Sequence, residues 1–313
     1  MENLDGINHG DNSFEDQFTK VEKFKVAGGI AEVVDIKSEN PKIGIPVFFA
    51  PAWGCATEVY KPALEVLSKT QRRVISLNHP RIGGSMKDIV PDEIAKKYPT
   101  EVMRKALNIL GVLDQKGIEK TDVIAHSEGA INTVIAATLH PEKFRNIVLF
   151  APAGLIGEDK FIRLLQGFAG QAKRAETLSE KPLAQVEGQA GYTYWPEIPV
   201  TEIEKQVASK AAREAVKYLV KNPIRGVNEA RGIAKIQIHD MLRYLHGKGI
   251  GIVVMSGVDD PVFPMNNMQQ IAKIDMLNGF VSLRGGHGEI GNHPERYMAA
   301  AEEMLTALEK RET

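Results

Sequence analysis

The chain has 313 residues, 43% of them hydrophobic and 25% charged, and its 39 basic and 40 acidic side chains leave a net charge of −1. That balance argues against a nucleic-acid partner, whose binder carries a basic excess on one face, and the length calls for one large α/β domain with an insertion, or for two domains. The single cysteine, Cys55, excludes an internal disulfide. No apolar run approaches the ~18 residues of a membrane span, so the expectation is a cytoplasmic protein with no membrane span.

Residues 1–20, rich in Asn, Asp, Glu and Gly, read as a flexible tail without the basic and apolar regions of a secretory signal. "KVEKFKVAGGIAEVVDIKS" then predicts two strands around the turn at Gly28-Gly29. "IGIPVFFAPAWG" is an apolar run ending in a Pro/Gly-rich loop, the pattern of a strand buried on both faces. "YKPALEVLSKT" has helical spacing, and "RRVISLNHPRIGGS" gives a further strand and a turn-rich loop. In "EVMRKALNILGVLDQKG" the residues Val102, Met103, Ala106, Leu107, Leu110 and Leu113 share one helical stripe, and Gly117 falls where a left-handed C-cap would stand.

Next come "DVIAHSEGAINTVIAATLHPEKF", a strand turning sharply into a helix, and the strand "NIVLFAPAGL". Alternating strands and helices imply a mostly parallel sheet flanked by helices, with ligands at the carboxyl ends of its strands. The alternation stops over 157–248, which reads as a helical insertion with the aromatic loop "GYTYWPEIP" inside it. It resumes with "GIGIVVMSGVDD", the short strand in "GFVSLRGGH" and a last helix from Pro294. The predicted organisation is an α/β core over 21–156 and 249–313, interrupted after the sixth strand by a helical cap over 157–248.

The corner Ala125-His126-Ser127-Glu128-Gly129 fits a relaxed G-x-S-x-G nucleophile elbow, with Ala in place of the first Gly. Small neighbours let strand and helix approach closely while a strained backbone holds the hydroxyl clear. The plainer alternative is a serine that merely caps the helix. A serine nucleophile needs a base to take its proton and an acid to orient that base. Asp259 and Asp260 end a late strand in "VVMSGVDDPVFP", and His287 follows the last short strand in "SLRGGHGEIGNHPE". The order Ser, Asp, His is the one used by α/β-hydrolases.

On "FFAPAWG", "LNHPRIGGS", "IAHSEGA", "SGVDDPVFP" and "RGGHGE", the chain resembles the α/β-hydrolase superfamily, in its capped serine hydrolase branch. The resemblance spans about residue 21 to 313. Its G-x-x-D-x-x-x-P pattern falls on Gly257, Asp260 and Pro264, which selects Asp260 over Asp259, and its final Gly-His falls on Gly286-His287. It implies catalysis by Ser127, Asp260 and His287, with the oxyanion held by the backbone N–H groups of Trp53 and Glu128. The sequence departs from the family at Pro51-Ala52, where His-Gly is usual, and Pro51 has no N–H to offer.

Tyr192, Tyr194, Trp195, Phe263 and His126 are candidates for the substrate pocket, although an aromatic cluster in a cap, like a histidine beside an elbow, also serves as packing. His293 and His79 read as structural. No spacing suggests a metal site, and the resemblance implies no cofactor. The expected partner is a small-molecule acyl substrate, cleaved as a carboxylic ester or related acyl compound. Acyl transfer, carbon–carbon bond hydrolysis and aminopeptidase action use the same three residues, and a non-catalytic binding protein on the same fold is the alternative from another class. The oligomeric state is not read from the sequence.

Overall fold

The computed structural model describes residues 13–27, 29–38, 44–80, 92–157, 162–164, 166–167, 191–193, 210–265, 267–268 and 276–311. Its strands are β1 (Glu22–Val26), β2 (Gly29–Ile36), β3 (Val47–Ala50), β4 (Val74–Asn78), β5 (Thr121–His126), β6 (Phe144–Phe150), β7 (Gly191–Thr193), β8 (Gly251–Gly257) and β9 (Gly279–Leu283). Its α-helices are labelled α1 (Phe14–Thr19), α2 (Lys61–Ser68), α3 (Asp92–Ala95), α4 (Thr100–Gln115), α5 (Glu128–Leu139), α6 (Lys210–Lys221), α7 (Pro223–Lys235), α8 (His239–Gly247), α9 (Glu289–Asn292) and α10 (Pro294–Glu309).

One sheet runs in the order β1-β2-β4-β3-β5-β6-β8-β9-β7. β2 is antiparallel to both its neighbours, and the strands from β4 to β7 in that order pair parallel. β3, β5 and β8 are buried at every position, which is why their centres read as apolar runs. α4, α5 and α8 cover one face of the sheet, and α2 and α10 the other. After β6 the next described helices are α6, α7 and α8, and β8 rejoins the sheet beside β6. Gly117 takes φ 64° beyond α4, and Ile118 N–H reaches back to the Leu113 carbonyl at 2.9 Å, closing the helix with the left-handed cap.

The chain lays down β3, crosses to β4 on one side, then returns to β5 on the other. The reversal leaves a crevice between the loops after β3 and β5, the usual place for a ligand in a parallel sheet. Ala50 pairs with Ala125 in register, so Pro51 to Cys55 and Ser127 leave adjacent strand ends together.

Two local features differ from the sequence expectation. Within the expected tail, Phe14–Thr19 is a helix: the Ser13 hydroxyl accepts the Asp16 N–H at 3.1 Å, and Phe18 is buried beside Lys61. The signal was the capping pattern Ser-x-x-Asp, outweighed in the reading by the polar composition around it. The aromatic loop also contains a strand: Tyr192 lies in β7, its backbone opposite Val281 of β9 at the sheet edge.

Candidate functional site

Ser127 stands between β5 and α5 with φ 54° and ψ −117°, a conformation that costs a non-glycine residue about 1–3 kcal/mol. Its surroundings fix that geometry. Ser127 N–H donates to the Phe150 carbonyl at 3.0 Å, and its own carbonyl accepts the Ala153 N–H at 3.1 Å. α5 follows immediately and is buried almost all round, so its first turn must press against the end of β3. A Cβ at Gly129 would lie 2.4 Å from the Ala50 carbonyl oxygen and 2.7 Å from that of Pro51. Both obstacles are backbone and cannot swing aside. Gly129→Ala should therefore lose about 3 kcal/mol in urea denaturation, the upper part of the range for overpacking.

The loops after β8 and β9 bring the two other predicted residues to this corner. His287 Nε2 lies 3.0 Å from Ser127 Oγ, and His287 Nδ1 lies 2.9 Å from Asp260 Oδ2. The other oxygen of Asp260 accepts two backbone N–H groups, from Val262 at 2.7 Å and Phe263 at 2.9 Å. The carboxylate facing the imidazole thus belongs to Asp260 and not Asp259. A carboxylate only accepts, so Nδ1 carries the proton and Nε2 presents its lone pair to the serine hydroxyl. All three side chains are buried, and the Phe263 ring meets His287 edge-on at 5.3 Å. Phe263, expected in the pocket, packs on the imidazole.

His126 is fully buried beside the site. Its Nε2 lies 2.8 Å from the His287 carbonyl and so must donate to it. Nδ1 then accepts the Tyr60 hydroxyl at 2.7 Å, while the Tyr60 oxygen accepts the Ala52 N–H at 3.2 Å. This chain joins the loop after β3 to the backbone of His287 and, with Tyr60 as donor, uses a neutral imidazole. Burial, reinforced by His287, holds His126 well below its ordinary 6.5. Burial also depresses His79, aided by Lys105 and Arg225.

Both imidazoles stay neutral in the folded protein, whereas in the unfolded chain each gains a proton below pH 6.5. Their contribution to stability is complete above that value and is lost as the pH falls towards their folded values. Each should steepen the loss below pH 6.5 towards a limit of about 1.4 kcal/mol per pH unit. Urea denaturation between pH 6.5 and 5 should show this slope, and His79→Asn should remove about half of the pair's share.

The loop after β3 carries the sequence's departure from the family pattern. Ala52 N–H donates to the Tyr60 hydroxyl oxygen at 3.2 Å, which takes it out of the donors this loop could offer. As first residue of α5, Glu128 has an N–H without an intrahelical acceptor. Cys55, in the same loop, is a weak rival nucleophile, because burial pushes its thiol up to about 12.

The sequence reading missed a buried set of charges beside this loop. Lys105 of α4 donates to both Glu128 oxygens, at 2.7 and 2.8 Å, and lies 3.7 Å from Glu229 of α7. Arg225 Nε donates to Glu229 at 3.0 Å, and the Trp53 indole N–H donates to it at 2.9 Å. Burial opposes Glu229's charge, yet Lys105 and Arg225 outweigh it and hold the carboxyl below its usual range. One signal was available: Glu128 opens a helix, "EGAINTVIAATL", that is otherwise almost wholly apolar and therefore buried, and a buried carboxylate needs a buried cation.

These residues also form the wall of a cavity of about 800 Å³ that reaches His79, Tyr218 and the flanks of Trp53. Ser127 is not part of that wall and is 2% exposed. His293 lies 3.1 Å from Glu289 at the start of α10, apart from the three residues above. Tyr194 and Trp195 lie outside the described residues, as does the side chain of Tyr192. Among the described residues no group of three or more His, Cys, Asp or Glu is placed to hold a metal ion, and no helix is long and apolar enough to cross a membrane.

The sequence profile of the alpha/beta hydrolase fold matches residues 45–289. Among solved structures, an esterase from Thermogutta terrifontis is 19% identical, with 92% of this chain and 99% of that one covered at a TM-score of 0.60. A carboxylesterase from Bacillus subtilis is 12% identical, covering 93% and 95% at 0.59, and a meta-cleavage product hydrolase is 17% identical, covering 91% and 98% at 0.59. Identities this low speak to the fold.

Proposed function

Because the chain belongs to the alpha/beta hydrolase fold family, we propose that it is a serine hydrolase acting on a carboxylic ester or related acyl compound through Ser127, His287 and Asp260. The carrying observation is the continuous line from Ser127 Oγ through His287 to Asp260, at 3.0 and 2.9 Å, beginning at a serine held at φ 54°. A helix cap alone requires neither the line nor the strain, and Ser127 makes no side-chain capping bond.

In this reading Ser127 Oγ attacks the acyl carbonyl as His287 Nε2 takes its proton, and Asp260 stabilises the imidazolium. The negative oxygen of the tetrahedral intermediate is held by the N–H groups of Trp53 and Glu128. Collapse expels the leaving group, which takes the proton from His287. Water then repeats the sequence on the acyl-enzyme and frees Ser127. The similarity to two esterases supports the ester, and α6 and α7, which lie beside the loop after β3, act as part of a cap that selects the acyl group.

Incubation with a fluorophosphonate and mass-spectrometric mapping tests the reading. A single adduct on Ser127, absent after denaturation of the protein, is the expected result. A folded protein that leaves Ser127 unlabelled would move the reading to a ligand-binding protein on the same fold.

A further inference from the structure

Buried charges need a reason. Lys105, Glu128 and Glu229 are each at most 6% exposed, and with Arg225 they sum to zero. A buried ion cluster is seldom more stable than an apolar cluster of the same shape, so stability alone is a poor account of it. Nor is the cluster waiting for a charged ligand. Lys105 Nζ is engaged by both oxygens of Glu128 and by Glu229, and Arg225 reaches the Pro80 carbonyl and Glu101 as well as Glu229.

What the two carboxylates hold is specific. Glu128 and Trp53 are the two residues whose backbone N–H groups serve as oxyanion donors in the function proposed above, on which this inference rests. Their side chains end in the same cluster, Glu128 on Lys105 and the Trp53 indole on Glu229. Lys105 belongs to the core helix α4, whereas Glu229 belongs to α7 of the insertion. Around them, Tyr218 of α6 packs edge-on against Trp53 at 5.9 Å, and a Cβ at Gly54 would lie 2.9 Å from the Tyr218 Cβ. The donor loop is clasped by the inserted helices.

We propose that Lys105 and Glu229 are positioning residues, which tie the two oxyanion-donor residues to each other and make their alignment depend on the seating of the α6–α7 pair. The donors lie on separate segments, the loop after β3 and the first turn of α5, and the cluster links them independently of the sheet. Loss of Glu229 would free the Trp53 indole and with it the peptide that follows Ala52. Substrate binding would be little affected, because the misalignment matters only as the oxyanion forms.

The test uses Glu229→Gln, Glu229→Leu and Trp53→Phe, each shown to be folded by circular dichroism, with p-nitrophenyl acetate as substrate. Gln removes the charge but keeps an acceptor for the indole; Leu removes both. Glu229→Leu should lower kcat about 10- to 100-fold, in the range for a misplaced catalytic group, with KM within threefold of wild type. Glu229→Gln should be about tenfold more active than the Leu variant. Trp53→Phe, which breaks the same bond from the other side and keeps its backbone N–H, should lose as much as Glu229→Leu, and the double variant little more. Equal losses in the Gln and Leu variants, or wild-type kcat in the Leu variant, would overturn the proposal.

A readout independent of turnover separates this idea from the hydrolase reading. The indole proton resonance of Trp53, identified by its loss in Trp53→Phe, should exchange slowly with solvent in wild type and Glu229→Gln and fast in Glu229→Leu. Equal protection in all three proteins would sink the tether. A protected indole in a protein with no Ser127-dependent turnover would support the tether and count instead against the acyl chemistry.

Discussion

Ser127→Ala should lower turnover of an activated ester by about 10⁶-fold, and adding His287→Ala should cost almost nothing further. The expectation follows from how the pair is built. An unassisted serine hydroxyl is a weak nucleophile, and in the proposed mechanism the group that activates it is a single imidazole nitrogen at 3.0 Å. Remove the oxygen, and His287 has no proton to take; remove the imidazole, and the oxygen keeps its proton. Each variant disables the same step, so their costs do not add. Residual catalysis of about 10³- to 10⁴-fold over water should persist from the oxyanion donors and from binding. The measurement is single-turnover kinetics of the two single variants and the double. Losses that multiply would mean that Ser127 and His287 act separately, and the proposed mechanism would fall.

Much of this arrangement was legible in the sequence because chemistry and topology constrain it locally. The elbow is written in five consecutive residues. Gly129 is required by the closeness of α5 to the end of β3, and such closeness is imposed wherever a strand turns directly into a buried helix. The acid and the base could be placed because each follows a strand of the parallel sheet. Asp260 could be separated from Asp259 only through the family pattern, since composition and spacing treat two adjacent carboxylates alike.

The contacts that the sequence did not reveal are those between distant segments. Trp53 and Glu229 are 176 residues apart, and His126 and Tyr60 are 66 apart. No local periodicity records that α7 sets its carboxylate against the loop after β3. His126 was read as packing beside the elbow or as a pocket residue. Its role in carrying hydrogen bonds between Tyr60 and the His287 carbonyl depends on three distant segments meeting, which only the assembled sheet accomplishes. The short strand β7 was hidden for a related reason: at an edge, three residues with one partner strand leave too little pattern to read.

Asp260→Asn should keep the fold and still lower kcat by about 10⁴-fold, the scale seen when a triad histidine is held in the wrong tautomer. The reason lies in the bonds that the carboxylate makes. Oδ1 accepts two backbone N–H groups and Oδ2 accepts the His287 Nδ1 proton, so both oxygens are acceptors in use. An asparagine has one acceptor and one donor group. Turning its NH₂ towards the Val262 and Phe263 N–H groups would set donors against donors in a buried site. The stable orientation gives the amide oxygen to those two N–H groups and turns the NH₂ to His287 Nδ1. That nitrogen must then accept, the ring proton moves to Nε2, and His287 presents a donor to Ser127 in place of a lone pair. The distances survive while the base is lost. Fluorophosphonate labelling should slow in step with turnover. A variant within tenfold of wild type would mean that the imidazole is oriented by something other than Asp260.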